Sequence, residues 1–248
     1  MRGPATVRGR RVDMFNFFGR KTRLMNKYPP PTSRTIVEPF AGSAAYAVHH
    51  RRCTKRVVLI DRDETVCDLW RRLLSMTRDE ILDVGIPEVG SLCSDFLVAT
   101  SAARTTKDTP STFKVTSRMR EEFLRSLPRI ASVVDECRHF EVLTGDYTEA
   151  PDIEADWFID PPYQYQSGRW DRTAGGRYLH GSRELDYRRL ASWCEERRGQ
   201  TIVCEQRGAT WLPWTHESQA CNSAQRCYRE VWYLRSIRGG PKVHGVSG

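Results

Sequence analysis

Apolar residues along this chain follow two periods, and their succession sets the expected elements. Short aliphatic, β-branched or aromatic runs occur at 35–37, 57–60, 140–143, 157–159 and 201–204. Each reads as a strand, 57–60 as a fully apolar one and 140–143 with Glu141 inside it, and 226–237 reads as a last strand. Between the second and third runs, Val66, Leu69, Trp70, Leu73 and Leu74 fall at i, i+3, i+4, i+7 and i+8. That is the stripe of an amphipathic helix starting near Asp63. Further helices are expected over 43–50 and about 184–198. Strand and helix in turn predict a parallel sheet with crossover helices, an α/β domain. The rhythm breaks over 77–137, where a Ser/Thr/Lys-rich stretch and a helical run interrupted by Pro128 read as a small insertion.

Length and charge narrow this picture. The chain has 248 residues, enough for one α/β domain with an insertion. No apolar run approaches the roughly 18 to 20 residues of a membrane span. The basic N-terminus lacks the apolar core of a secretory signal, so a cytoplasmic protein without membrane contact is expected. The formal charge is +8. Residues 1–35 hold nine Lys/Arg and one acid, Asp13, whereas 36–248 hold thirty of each. The excess is therefore an N-terminal feature. Within the neutral remainder, 101–134 has seven bases to three acids, and 141–163 has seven acids and no base. Basic segments beside an acidic strip predict polyanion contact around a site for an amino-bearing or cationic group; a solvated surface with a tail is the plain alternative. The eight cysteines form no CxxC pair, and His216, Cys221 and Cys227 match no common zinc spacing. Free thiols and no metal are expected.

Two sequence features carry candidate chemistry. Asp160-Pro161-Pro162-Tyr163 follows an apolar strand, so Asp160 falls at its carboxyl end, where open α/β sheets bind ligands. Two prolines fix φ and remove two backbone donors. The corner then presents a carboxylate, carbonyls and an aromatic ring with no competing N–H, which suits a flat ring bearing an amino group. The second feature, Glu38-Pro39-Phe40-Ala41-Gly42-Ser43-Ala44, is a strand-to-helix turn of small residues that lets a backbone approach a ligand. Asp61 ends the next strand about twenty residues on, where an acid grips ribose hydroxyls. The absence of GxGxxG favours a nucleoside with a cationic or zwitterionic tail over a dinucleotide.

These elements, in this order, resemble the Dam-type N6-adenine DNA methyltransferases. Phe17-Phe18-Gly19-Arg20-Lys21 resembles the family's N-terminal cofactor element, and Glu38 to Ala44 its EPFxGxG turn. Asp61 resembles the ribose acid, Thr144-Gly145-Asp146-Tyr147 the GD(F/Y) element, and Asp160 to Tyr163 the catalytic DPPY. The resemblance implies a class I, Rossmann-like methyltransferase fold using S-adenosylmethionine. It assigns catalysis to Asp160, Pro161, Pro162 and Tyr163. Cofactor contacts fall to Phe17, Gly19, Lys21, Glu38, Pro39, Phe40, Ala41, Gly42, Ser43, Asp61, Asp146, Tyr147 and Asp160. It divides the chain into a basic arm with the first part of the catalytic domain (1–76), a target-recognition insertion (77–137) and the second part of that domain (138–248). Arg104, Lys107, Lys114, Arg118 and Arg120 are the insertion's candidate DNA contacts. The chain departs from the family where the last glycine of the turn is Ala44 and a glycine of the first element is Arg20. Alanine costs cofactor affinity if its φ is positive.

The implied reaction is methyl transfer to N6 of a flipped-out adenine in duplex DNA, by a monomer or weak dimer without an obligate restriction partner. DNA is favoured over RNA by the upstream element and the insertion. The alternatives are transfer to RNA adenine or cytosine N4, and, in another class, an inactive module that holds DNA or cofactor.

Overall fold

The computed structural model describes residues 14–15, 21–84, 117–164, 179–221 and 227–236, and all structural statements below concern these. The elements run β1 (Thr35–Glu38), α1 (Ala45–His50), β2 (Arg56–Asp61), α2 (Glu64–Ser75), α3 (Arg78–Leu82), α4 (Ser117–Val134), β3 (Phe140–Thr144), β4 (Asp156–Ile159), α5 (Tyr187–Glu196), β5 (Thr201–Gln206), β6 (His216–Cys221) and β7 (Cys227–Arg235). They form a mixed α/β fold around one seven-stranded sheet of order β3-β2-β1-β4-β5-β7-β6. Strands β1 to β5 pair in parallel, and the β6–β7 hairpin joins β5 antiparallel. From β1 the chain winds outward through β2 to β3, then returns to place β4 on the other flank of β1. The crevice between the carboxyl ends of β1 and β4 is thus the topological switch point of a Rossmann-like sheet.

The fully apolar strands are explained by burial on both faces. Ile36, Val57, Leu59, Phe140, Phe158 and Ile202 pack into one core with α1, α2 and α4. Their neighbours Val37, Val58, Ile60, Trp157, Ile159 and Val203 pack into a second core with Leu190, Trp193 and Cys194 of α5. Helix α2 begins where expected, since Asp63 caps it by accepting from the Thr65 amide at 3.1 Å.

Three expectations change. Pro128 does not end the helical run: α4 is continuous through it. Phe123, Leu127, Ile130, Ala131 and Val134 are buried in the first core, and that burial offsets the bond a proline removes. Strand β6 was missed, because its sequence, His-Glu-Ser-Gln-Ala-Cys, has no apolar pattern and its place is set by hydrogen bonding to β7. The segment before β1 is also no solvated arm in its described part. Met14, Phe15, Leu24, Met25 and Tyr28 are buried in the first core. Asp156, at the foot of β4, accepts from the Thr32 and Ser33 amides at 2.9 and 2.7 Å and pins the Pro-rich connector to the sheet.

Among the described cysteine side chains Cys67, Cys137, Cys194 and Cys204 are buried free thiols, while Cys53 is exposed. No helix among the described residues is long and apolar enough to cross a membrane.

Candidate active site at the switch point

An open cleft of about 830 Å³, solvent at its mouth included, lies over the carboxyl ends of β1, β2 and β4. Its wall includes Glu38, Phe40, Ala41, Gly42 and Ser43 after β1, Asp61 with Arg62 and Asp63 after β2, and Asp160 and Pro162 after β4. Lys21 reaches it from before β1, and Leu179, His180 and Leu185 close it from the segment before α5.

The turn after β1 is built from backbone. The Ala41 amide donates to the Ile60 carbonyl at 2.9 Å, and Trp70 Nε1 donates to the Gly42 carbonyl at 2.8 Å. The Gly42 amide donates to Asp61 Oδ2 at 2.9 Å, while Asp61 Oδ1 accepts from the Asp63 amide. Each carboxylate oxygen of Asp61 keeps capacity for a further donor such as a ribose hydroxyl. Gly42 and Ala44 both lie in the left-handed region, at φ 46° and 47°. The unfavourable condition set for Ala44 is therefore met: this alanine holds a conformation that glycine adopts freely. Glu38 is buried, and its Oε1 accepts from the Ala47 amide at 2.6 Å, capping α1 in place of Ala44, which has no side chain able to do so. Burial pushes the Glu38 carboxyl up to about 8, against the Ala47 hydrogen bond, and pushes Asp61 up to about 6.

The corner after β4 is held by side chains from other elements. Lys21 Nζ lies 2.8 Å from Asp160 Oδ1 and 3.4 Å from Glu230 Oε2 of β7. The same ammonium stands 4.7 Å from the centroid of the Tyr163 ring. Tyr163 donates its hydroxyl to Glu230 Oε2 at 2.6 Å, and Tyr28 donates to Glu230 Oε1. Tyr187 of α5 donates to the Pro162 carbonyl at 2.6 Å. The Gln164 amide donates to Glu205 Oε2 at 2.9 Å, and Gln206 Nε2 donates to the Gln164 carbonyl at 2.6 Å. Burial holds Asp160 above the ordinary carboxylate range; Lys21 opposes that and Glu230 adds to it.

The site residues expected from sequence therefore divide. Lys21, Glu38, Phe40, Ala41, Gly42, Ser43, Asp61, Asp160 and Pro162 converge on one cleft. Lys21 meets the Asp160 carboxylate directly, a contact the sequence reading did not foresee. Tyr147 is buried behind Phe40, stacked on it at 5.6 Å, so it supports the wall from outside. Asp146 caps the short turn at Tyr147–Glu149 and faces Arg62 Nε at 3.9 Å. Phe17, Gly19, Arg104, Lys107 and Lys114 lie outside the described residues, as do the side chains of Arg118 and Arg120. Glu230, Tyr28, Tyr187 and Glu205 were missed altogether. For Glu230 a signal existed: strand alternation puts it on the face of Trp232 and Leu234, and an acid in a core-facing phase is out of place.

Comparison with known proteins adds little. No protein family matches, and no curated protein does. Among solved structures, a "conserved hypothetical protein" of Streptococcus pyogenes overlaps 82% of this chain and 86% of its own, at 10% identity and a TM-score of 0.36. A "putative methyltransferase yhhF" of Escherichia coli overlaps 83% and 78%, at 12% identity and a TM-score of 0.33. The fold assignment stands on the strand order alone.

Proposed function

We propose that this protein is a DNA methyltransferase that moves a methyl group from S-adenosylmethionine to N6 of a flipped-out adenine. One observation carries the reading: Asp160-Pro161-Pro162-Tyr163 stands at the carboxyl end of β4, at the switch point, across a cleft from Asp61 and the Gly42–Ser43 turn. The residues fit an amino-bearing, cationic nucleoside. Glu38, Asp61, Asp63 and Asp160 line the cleft against Lys21 and Arg62, and Asp61 sits where a ribose diol would donate. When bound, S-adenosylmethionine supplies an electrophilic methyl group on a positively charged sulfur.

The chain's residues then have distinct tasks. The adenine amino group is a poor nucleophile because its lone pair is delocalised into the ring. Asp160 and the Pro161 carbonyl accept its two N–H bonds and favour the pyramidal nitrogen that attacks. As positive charge develops on N6, the carboxylate held in place by Lys21 stabilises it. Asp160 then accepts the proton that the methylated nitrogen sheds. Tyr163, which ends the corner and packs against the first core, is assigned the stacking contact with the flipped base. Basic side chains of the N-terminal segment and of 101–134 supply phosphate contacts, so affinity for DNA falls steeply with added salt.

The test is incubation of the purified chain with methyl-labelled S-adenosylmethionine and either DNA or RNA, followed by nucleoside analysis. The expected product is N6-methyldeoxyadenosine. Label in N4-methyldeoxycytidine or in ribonucleosides overturns the substrate assignment, and cofactor binding without label overturns the activity.

A further inference from the structure

We propose that Glu230 is a positioning residue of the transfer site, anchoring the Tyr163 hydroxyl and sharing the Lys21 ammonium with Asp160. The inference rests on the functional reading above and adds to it a residue from outside the four-residue corner and the cleft wall.

Glu230 sits in the interior of β7, opposite Gln206 of β5 and Ser218 of β6, and is 1% exposed. The sheet has no use for an acid there, since backbone pairing accepts any residue and the face belongs to the first core. An ionised side chain so buried is costly unless donors surround it, and an apolar residue of like volume would fill the space without that cost. The donors that do surround it are those of the transfer site. Tyr163 ends the corner motif, Lys21 holds Asp160, and Tyr28 closes the remaining oxygen. Glu230 thereby ties the segment before β1, the corner after β4 and the terminal hairpin to one point.

The geometry has an electrostatic side as well. One ammonium serves two carboxylates, so neither receives its full charge. With Glu230 present, Lys21 neutralises Asp160 only in part and leaves it a better acceptor for an amino N–H. The other groups that act on Asp160 are Glu38 of β1, Glu205 and Cys204 of β5 and Tyr163; Cys204 and Tyr28 also act on Glu230. Replacing Glu230 by an uncharged side chain gives Lys21 wholly to Asp160, whose carboxyl then ionises more easily.

The experiment compares the full-length protein with Glu230→Gln and Glu230→Asp, reading methyl transfer to DNA from pH 5 to 9 and donor affinity by calorimetry. For Glu230→Gln, kcat is expected to fall about tenfold and the acid limb of the profile to move down by on the order of one pH unit, with donor Kd within about twofold. Glu230→Asp keeps the charge and is expected to leave the acid limb in place. A Gln variant with an unmoved limb and unchanged kcat overturns the proposal. So does activity lost only in proportion to unfolded protein. If Glu230→Gln does not fold, Tyr163→Phe decides: a kcat at least about threefold lower at unchanged donor Kd supports the anchor, and unchanged kcat overturns it. Absence of transfer by the unsubstituted protein, with any nucleic acid, overturns the functional reading and this inference with it.

Discussion

Two strand ends face one cleft and are built in opposite ways. After β1 the chain turns on small residues through two left-handed positions, and its stability comes from the Gly42 amide tied to Asp61, the Ala41 amide on the Ile60 carbonyl and Trp70 on the Gly42 carbonyl. After β4 it turns through two prolines, and side chains from β5, α5, β7 and the N-terminal segment hold it. The first arrangement brings backbone close to a ligand. The second presents oxygen acceptors with no amide between them. One site can thus take a nucleoside on one side and an amino group on the other. The contrast also implies that the first turn is sensitive to backbone conformation and the second to the removal of partners.

Removing the acceptor at the second corner should have the largest effect. Asp160→Ala is expected to lower methyl transfer by about a hundred- to a thousandfold, the scale of losing a fixed electrostatic partner, while calorimetry still finds donor binding. The variant should remain folded because Lys21 keeps Glu230 as a partner. Donor binding lost along with activity would erase the division of labour between the two strand ends.

Next comes the ammonium itself. Lys21 is 4% exposed, and Lys21→Met leaves two buried carboxylates side by side. Thermal or urea unfolding should show a loss of about 3–5 kcal/mol at pH 8. The loss should shrink at pH 5, where one acid takes up a proton. A pH-independent loss would mean that the residue acts only by packing.

A smaller effect, of opposite sign, belongs to the first turn. Glu38 has its carboxyl raised from 4.5 to about 8, so the folded state holds a proton that the unfolded chain has released. Its contribution is full below the ordinary carboxylate range and is lost as pH rises towards about 8. Glu38→Gln keeps an acceptor for the Ala47 amide, and should gain on the order of 1–3 kcal/mol at pH 8 and little at pH 4.5. Equal stability curves for the two proteins would place that proton elsewhere. The smallest effect concerns Ala44, which is fully buried in the left-handed region. Ala44→Gly should raise stability by roughly 0.5–1 kcal/mol, strain relief less the entropy a glycine adds to the unfolded chain.

Much of this fold was legible in the chain, for a physical reason. Strands β1, β2, β4 and β5 are largely buried on both faces and read as unbroken apolar runs, β3 at the sheet edge buries Phe140 and leaves Glu141 and Leu143 exposed, and α2 shows its core stripe because only one face is covered. The hairpin partner β6 was not legible, since an edge strand held by backbone bonds needs no apolar pattern. Pro128 misled because tertiary packing outweighs one lost hydrogen bond. The candidate site divided along the same line. Residues clustered within one turn, such as Phe40 to Ser43 or Asp160 and Pro162, could be placed at one strand end from their spacing, whereas Pro39, Pro161 and Tyr163 do not line the cleft. The contact of Lys21 with Asp160, and of both with Glu230, joins positions 21, 160 and 230, which only folding brings together.

The raised carboxyls of the cleft have a calorimetric consequence. Glu38 near 8 and Asp61 near 6 hold protons over part of the neutral range that a cationic ligand would drive off. Binding such a ligand therefore discharges hydrogen ions into the medium. Its measured heat at pH 7.5 should differ between phosphate and Tris in proportion to their ionisation enthalpies, whereas a neutral nucleoside should give nearly the same heat in both. The cleft would then act as a small acid reservoir, and its discharge would report the charge of the ligand that binds there.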